Sequence, residues 1–141
     1  MITLLDVNVL VALFVADHLH HQTAWKWFER QAKIGWASCP ITQNGCIRVV
    51  SGLPTRIAPS QIAEKLKQAC DDPSHQFISD DLSILSEGKV RFNFVHGHRQ
   101  ITDVYLLALA VNHDMALATF DRAIALNAVV GARAEHIVIP T

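Results

Sequence analysis

Five short apolar segments alternate with longer stretches whose apolar residues recur at helical spacing. The segments read ITLL, GWASC, HQFIS, MALAT and HIVIP, and each ends at a turn residue or a helix cap. Between them lie stretches such as HHQTAWKWFERQAKI and TDVYLLALAVNHD. Strands that alternate with helices form a parallel sheet covered on both faces. The pattern therefore predicts an α/β fold, a three-layer α/β/α sandwich around a central, mainly parallel sheet of about five strands, with a doubled or extended helix before HQFIS.

The length of 141 residues predicts a single domain over residues 1–141. Half of the residues are hydrophobic and 18% are charged, which excludes a disordered chain. No apolar run reaches the length of a membrane span and the first residues lack a basic leader, so we expect no membrane association. The three cysteines form no C-x-x-C pair, and their odd number suggests neither a disulfide framework nor a zinc knuckle. A cytoplasmic setting is expected.

Asp6 interrupts an apolar run that extends from Ile2 to Phe14. A buried carboxylate is costly unless it is hydrogen-bonded, paired or bound to a metal ion. One interpretation is an N-cap, in which Asp6 ends a strand and accepts the first amides of a helix. The other is a ligand site, because such sites in parallel sheets lie beyond the carboxyl ends of the strands.

Two further acids stand in comparable places. Asp121 follows the apolar strand MALAT and precedes a predicted helix, and Asp103 opens another helix with Thr102 as its predicted N-cap. Asp121 could itself be a cap, and Asp103 could merely complement the helix dipole. The ends of two strands and the start of a helix can also meet in one crevice. Three carboxylates there would repel one another unless a cation joined them, and their hard oxygens suit Mg²⁺ or Mn²⁺.

Four phrases of the chain, LLDVNVLVAL, ITQNGCIRVVS, ITDVYLLALA and LATFD, together resemble the PIN-domain ribonucleases. They are similar in particular to the VapC-like toxins of toxin–antitoxin pairs. The similarity extends over almost the whole chain. The phrases DVNVLVAL and TDVYLLALA…LATFD are specific in this order and at this separation, whereas either alone is a weak signal.

The resemblance implies a PIN-like fold and a metal-dependent endoribonuclease that hydrolyses RNA phosphodiester bonds. It also implies a homodimer that a cognate VapB-like antitoxin holds inactive. On this pattern Asp6, Asp103 and Asp121 match the acidic ligands of Mg²⁺ or Mn²⁺, and Asn8 and Thr119 match polar positions close to the site.

Gln43 departs from the pattern of these toxins. A glutamate is expected where TQNGCIRVV has Gln43, and an amide oxygen accepts hydrogen bonds but supplies no negative charge. Metal affinity is therefore expected to fall. A weak nuclease, a protein that binds RNA or antitoxin without cleaving, and an engineered substitution all remain open at this point.

The segment KVRFNFVHGHRQITD is the most cationic part of a chain whose net charge is −1. It contains Arg91, His98 and Arg99 and leads directly to Asp103, so it could hold RNA phosphates beside the acids. The alternative is an ordinary polar loop. His18 and His21 in DHLHHQ have a spacing seen in metal sites, but without a nearby cysteine or an H-E-x-x-H frame we predict solvated or capping histidines.

Two other enzyme classes place an aspartate after a strand. A haloacid-dehalogenase-like enzyme needs a second acid two residues on, where this chain has Asn8. A receiver domain needs a lysine after a strand near the C-terminus, and HIVIPT and its neighbours have none. Both are therefore disfavoured against the nuclease interpretation.

Overall fold

The computed structural model describes residues 1–141 and contains five strands and five α-helices. In chain order they are β1 (Thr3–Leu5), α1 (Val7–Phe14), α2 (His21–Gln31), β2 (Trp36–Ser38), α3 (Pro40–Ser51), α4 (Pro59–Cys70), β3 (His75–Phe77), α5 (Ile101–Asn112), β4 (Ala116–Ala118) and β5 (Ile137–Val138). The two helices α3 and α4 confirm the predicted doubling of the helix before HQFIS.

The strands form one sheet in the order β3-β2-β1-β4-β5, and every neighbouring pair is parallel. The central strand β1 places Thr3 opposite Trp36 of β2 and opposite Ala116 of β4. The chain order reverses at β1, because β2 and β3 lie on one side of it and β4 and β5 on the other. A parallel sheet has its natural ligand crevice at the carboxyl ends of the strands beside such a reversal.

Alternate residues of the strands bury into two separate cores. Leu4 and Leu117 belong to a cluster with α5, whereas Leu5 and Ala118 belong to a cluster with α1 to α4. The two clusters lie on opposite faces of the sheet, since successive side chains of a strand point to opposite faces. The predicted three-layer α/β/α sandwich is thus confirmed. None of the helices combines the length and the apolar character that a membrane crossing requires.

Three details of the sequence-based prediction are wrong. Helix α5 begins at Ile101 after Gln100, so Thr102 lies inside the helix instead of capping it. No α-helix follows Asp121, which precedes turns and a short 3₁₀ segment. Strand β3 is a largely exposed strand at the edge of the sheet, although HQFIS is grouped with the apolar segments of the sequence.

Helices α1 and α3 approach closely at Gly45. A Cβ atom added to Gly45 would lie 2.5 Å from Cγ2 of Val7, well inside van der Waals contact. Val7 directly follows Asp6, so the fit between these two helices also positions the start of α1, where the first acid stands. Glycine is required here for space, not for backbone conformation.

We expect Gly45→Ala to destabilise the protein by about 1–2 kcal/mol. Overpacking typically costs about 1–3 kcal/mol, and the better helix propensity of alanine offsets up to about 1 kcal/mol of it. Urea unfolding measures the change, with Asn44→Ala as the control because Asn44 is the exposed neighbour on the same helix. Equal or higher stability of Gly45→Ala would show that α1 and α3 can separate without cost.

Candidate active site

The hydroxyl of Thr119, just past the end of β4, connects three polar residues. It donates a hydrogen bond to Oδ2 of Asp6 at 2.7 Å and accepts one from Nδ2 of Asn8 at 3.1 Å. It also accepts the backbone N–H of Asp121 at 3.1 Å. Thr119 is fully buried, so its one donor and two acceptor positions are all used inside the protein. The side chain thereby aligns the end of β1 with the end of β4.

Asp6 is both the N-cap of α1 and part of this cluster. Its Oδ1 accepts the N–H of Val7 at 2.7 Å, and its own N–H donates to the carbonyl of Ala118. Burial raises the pKa of Asp6, while the hydrogen bonds from Thr119 and Val7 act in the opposite direction and the charge of Asp121 adds to the rise. The capping interpretation is therefore correct, and it leaves the carboxylate within reach of the other acids.

Asp103 completes a group of three acids from the first turn of α5. Burial raises the pKa of Asp103 to about 7, and the charge of Asp6 and a carboxyl–carboxyl contact with Asp121 contribute to the rise. Asp121 also accepts the N–H of Ala123, which holds it in the turn after β4. The three acids thus come together from β1, β4 and α5, and no cationic side chain neutralises them.

The donor atoms of the three acids suit a hard divalent cation. Oxygen ligands whose mutual repulsion raises a carboxyl pKa gain stability when a cation is placed between them. In their present positions no three acidic, histidine or cysteine side chains could hold a metal ion together, so fewer of them would bind it directly and water would supply the remaining ligands. Mg²⁺ commonly keeps several water ligands, and the residues present therefore fit such an ion.

Gln43 makes no hydrogen bond with any of the three acids. Its Nε2 donates to Oγ of Ser38 at 3.0 Å, and the same hydroxyl lies 2.7 Å from Nε2 of His75. Gln43 also lines a separate cavity with Lys67 and Cys70 of α4. The amide of Gln43 therefore takes part in the packing between α3, β2 and β3, and it is not part of the acidic group.

The predicted cationic residues do not form one surface. Arg91 donates to the carbonyl of Asn127, and Lys89 donates to Asn112 at the far end of α5. That end lies roughly 13 Å along the helix from Asp103, at 1.5 Å per residue. His98 and Arg99 are exposed on the 3₁₀ turn that leads into α5, so of this group they remain closest to Asp103 in the chain.

His18 was not expected at the site. It lines a cavity of about 330 Å³ together with Asp6, Asn8 and Asp103. Its Nδ1 accepts the N–H of His20, and burial and the neighbouring His20 and His21 lower its pKa. The histidines of DHLHHQ are visible in the sequence, but their spacing does not indicate that His18 lines the same cavity as the acids.

The family model of the PIN domain matches residues 3–129 of the chain. Ribonuclease VapC44 of Mycobacterium tuberculosis is 46% identical over 136 residues, which are 95% of this chain and 96% of that protein. Ribonuclease VapC38 of the same organism is 38% identical over 121 residues, 84% of each chain.

Solved structures with the same fold include VapBC2 of Rickettsia felis bound to a DNA fragment from its promoter. That comparison has a TM-score of 0.62 at 17% identity and covers 99% of this chain and 97% of the other. VapC20 of Mycobacterium tuberculosis, described as a Sarcin-Ricin loop cleaving toxin, has a TM-score of 0.60 at 11% identity and covers 94% and 99%. At these identities the likeness concerns the fold alone.

We expect Asp103→Asn to raise the melting temperature by a few degrees at pH 8 in the presence of a chelator. At that pH the carboxyl of Asp103 is mainly ionised, and its charge is opposed by burial and by two neighbouring acids. Thermal unfolding measures the shift, and Asp17→Asn removes an exposed carboxyl as the matched control. A lower melting temperature for Asp103→Asn would contradict the interpretation that the charge of Asp103 is uncompensated in the folded protein.

Proposed function

The chain belongs to the PIN-domain family, and from this premise we propose that it is an endoribonuclease toxin of the VapC type, held inactive by an antitoxin. The observation that carries the proposal is the group formed by Asp6, Asp103 and Asp121 at the carboxyl end of the sheet. These acids come from three elements far apart in sequence, and the fold leaves their charge uncompensated. The VapC ribonucleases that match nearly the whole chain support the same activity.

We propose that the three acids hold Mg²⁺ or Mn²⁺. An ion of this kind, when bound, supplies an activated water and stabilises the leaving oxygen of a phosphodiester. Thr119 orients Asp6 through its hydrogen bond and fixes the backbone before Asp121. Asn8 bridges α1 to the end of β4, because its Nδ2 donates to Thr119 and its Oδ1 accepts the N–H of Phe120. The two residues act as positioning residues for the acids.

The remaining parts of the proposal follow from the family. A VapB-like antitoxin is the proposed partner, and VapBC2 of Rickettsia felis is an example of such a pair. A homodimer is expected on the same basis. His98 and Arg99 are proposed to contact RNA phosphates, since they are exposed just before the helix that carries Asp103. The three unpaired cysteines suit the reducing cytoplasm.

We expect the purified protein to cleave a mixed structured RNA with Mg²⁺ or Mn²⁺ and not with chelator. Asp103→Asn should lower the rate at least about a hundredfold, because it removes one of three charged groups from the reacting centre. Asp17→Asn, an exposed change of the same type, should cleave like the unmodified protein. Metal-independent cleavage, or full activity of Asp103→Asn, would contradict the proposed function.

We also expect Gln43→Glu to increase metal-dependent cleavage several-fold at low Mg²⁺ concentration. The hydrogen bond that Gln43 donates to Ser38 is lost, but a carboxylate there can accept one from the Ser38 hydroxyl, and it adds a negative charge near the carboxyl end of the sheet. Asn44→Asp is the matched control, since it adds the same charge to the exposed neighbouring position. Unchanged or lower cleavage would show that Gln43 belongs to the packing of α3. If neither form cleaves, a protein that only binds RNA or antitoxin becomes the better proposal.

A further inference from the structure

We propose that a cavity beside the acids binds one unpaired base of the RNA, from a nucleotide flanking the cleaved bond; this inference rests on the proposed function. The base cavity is lined by His20, Thr23, Phe120, Arg122 and the segment Ile139–Thr141. Its volume of about 370 Å³ lies within the range of roughly 300–1,000 Å³ that is usual for small-molecule sites. None of these residues belongs to the acidic group.

Phe120 connects the base cavity to the acids, because its neighbours in the sequence belong to the acidic site. Phe120 stands between Thr119, which binds Asp6, and Asp121, which contacts Asp103. The N–H of Phe120 is bound by Asn8, so its backbone is fixed by the same network. A nucleotide whose phosphate lies at the acids can therefore place its base in the neighbouring cavity.

The wall of the base cavity contains a stacked pair of rings. His20 and Phe120 have ring centroids 4.5 Å apart and an interplanar angle of 16°. The His20 side chain does not cap α2, and neither ring nitrogen makes a hydrogen bond within the protein. Its ring is thus placed by contacts with the rings of Phe120 and His18, and a planar surface of this kind suits any nucleobase, because every base has a π-face.

The charge of the base cavity suits a nucleic acid more than an apolar ligand. Arg122 is exposed, forms no ion pair within the chain and directly follows Asp121. Its guanidinium can contact a phosphate or the edge of a base, and the hydroxyl of Thr23 adds a second polar group. A polar rim over an aromatic surface is the usual arrangement for unpaired bases in RNA recognition.

One loop connects the base cavity to the acids. The N–H of His20 donates to Nδ1 of His18 at 3.0 Å, and His18 lines the cavity that contains Asp6 and Asp103. The loop therefore contributes one ring to the base cavity and one to the cavity that contains the acids. A single RNA strand that follows this loop would meet the acids through its backbone and the stacked rings through a base.

The test uses a short RNA that the protein cleaves at one mapped bond. Bases flanking the bond are replaced one at a time by abasic nucleotides, and KM and kcat are measured for the unmodified protein and for His20→Ala. His20→Phe keeps a ring at this position, and Leu19→Ala is the matched control because Leu19 is 89% exposed on the same loop. Circular dichroism verifies that each variant is folded.

At one flanking position the abasic substrate is expected to raise KM roughly tenfold with little change in kcat, in line with the loss of one base stack. In His20→Ala the intact RNA already has the raised KM, so the abasic replacement adds less than about twofold. In His20→Phe and Leu19→Ala the abasic substrate is expected to raise KM by the full amount seen with the unmodified protein.

If the abasic replacement raises KM equally in His20→Ala and in the unmodified protein, the proposal that this cavity binds a base is wrong, while the proposed ribonuclease function stands. A kcat effect without a KM effect leads to the same conclusion, since it would assign the ring to the arrangement of the acids. If the unmodified protein cleaves no RNA with either metal, the proposed function fails, and the base cavity fails with it.

Discussion

A single buried hydroxyl holds together the carboxyl ends of the two adjacent central strands, β1 and β4. Thr119 joins Asp6 after β1 to Asn8 on α1 and to the backbone of Asp121 after β4. With all three of its hydrogen-bonding positions occupied inside the protein, Thr119 has little freedom to move. Asp6 and the backbone of Asp121 are therefore held at the ends of packed strands, and rigid support of this kind is what a catalytic site requires.

The acids in the same region also lower the stability of the folded protein, because their negative charges are unfavourable there. Burial and two neighbouring carboxyls oppose the ionisation of Asp103, and burial opposes that of Asp6. No lysine, arginine or histidine forms an ion pair with them. Local structure that conflicts with stability in this way is expected at functional sites, where the compensating group arrives with the substrate or the cofactor. The rest of the sheet carries two apolar cores that offset the cost.

The sequence predicted the layers and the acids better than the surroundings of the acids. Apolar periodicity depends on burial, so it indicated the parallel sheet and placed Asp6 and Asp121 at strand ends. It carried no information on loops, which explains why His18 and His20 beside the site were missed. The resemblance placed Gln43 at a catalytic position, but the hydrogen bond to Ser38 shows that an amide there has another partner. The hydrogen-bond partner of a side chain and the position of a loop depend on contacts between residues far apart in sequence, and a sequence pattern does not indicate these contacts.

The central position of β1 also determines when the site can form during synthesis. Asp6 is made before the hydroxyl that orients it, which lies 113 positions later in the chain. A nascent chain that ends before β4 lacks one of the two strands that pair with β1, and it lacks Thr119 and Asp121. Pairing between segments so far apart forms late, because the intervening chain must first be closed into a loop. The acids of a growing chain therefore stay separated until Thr119 and Asp121 have been translated, so chains that end before these residues contain no assembled site.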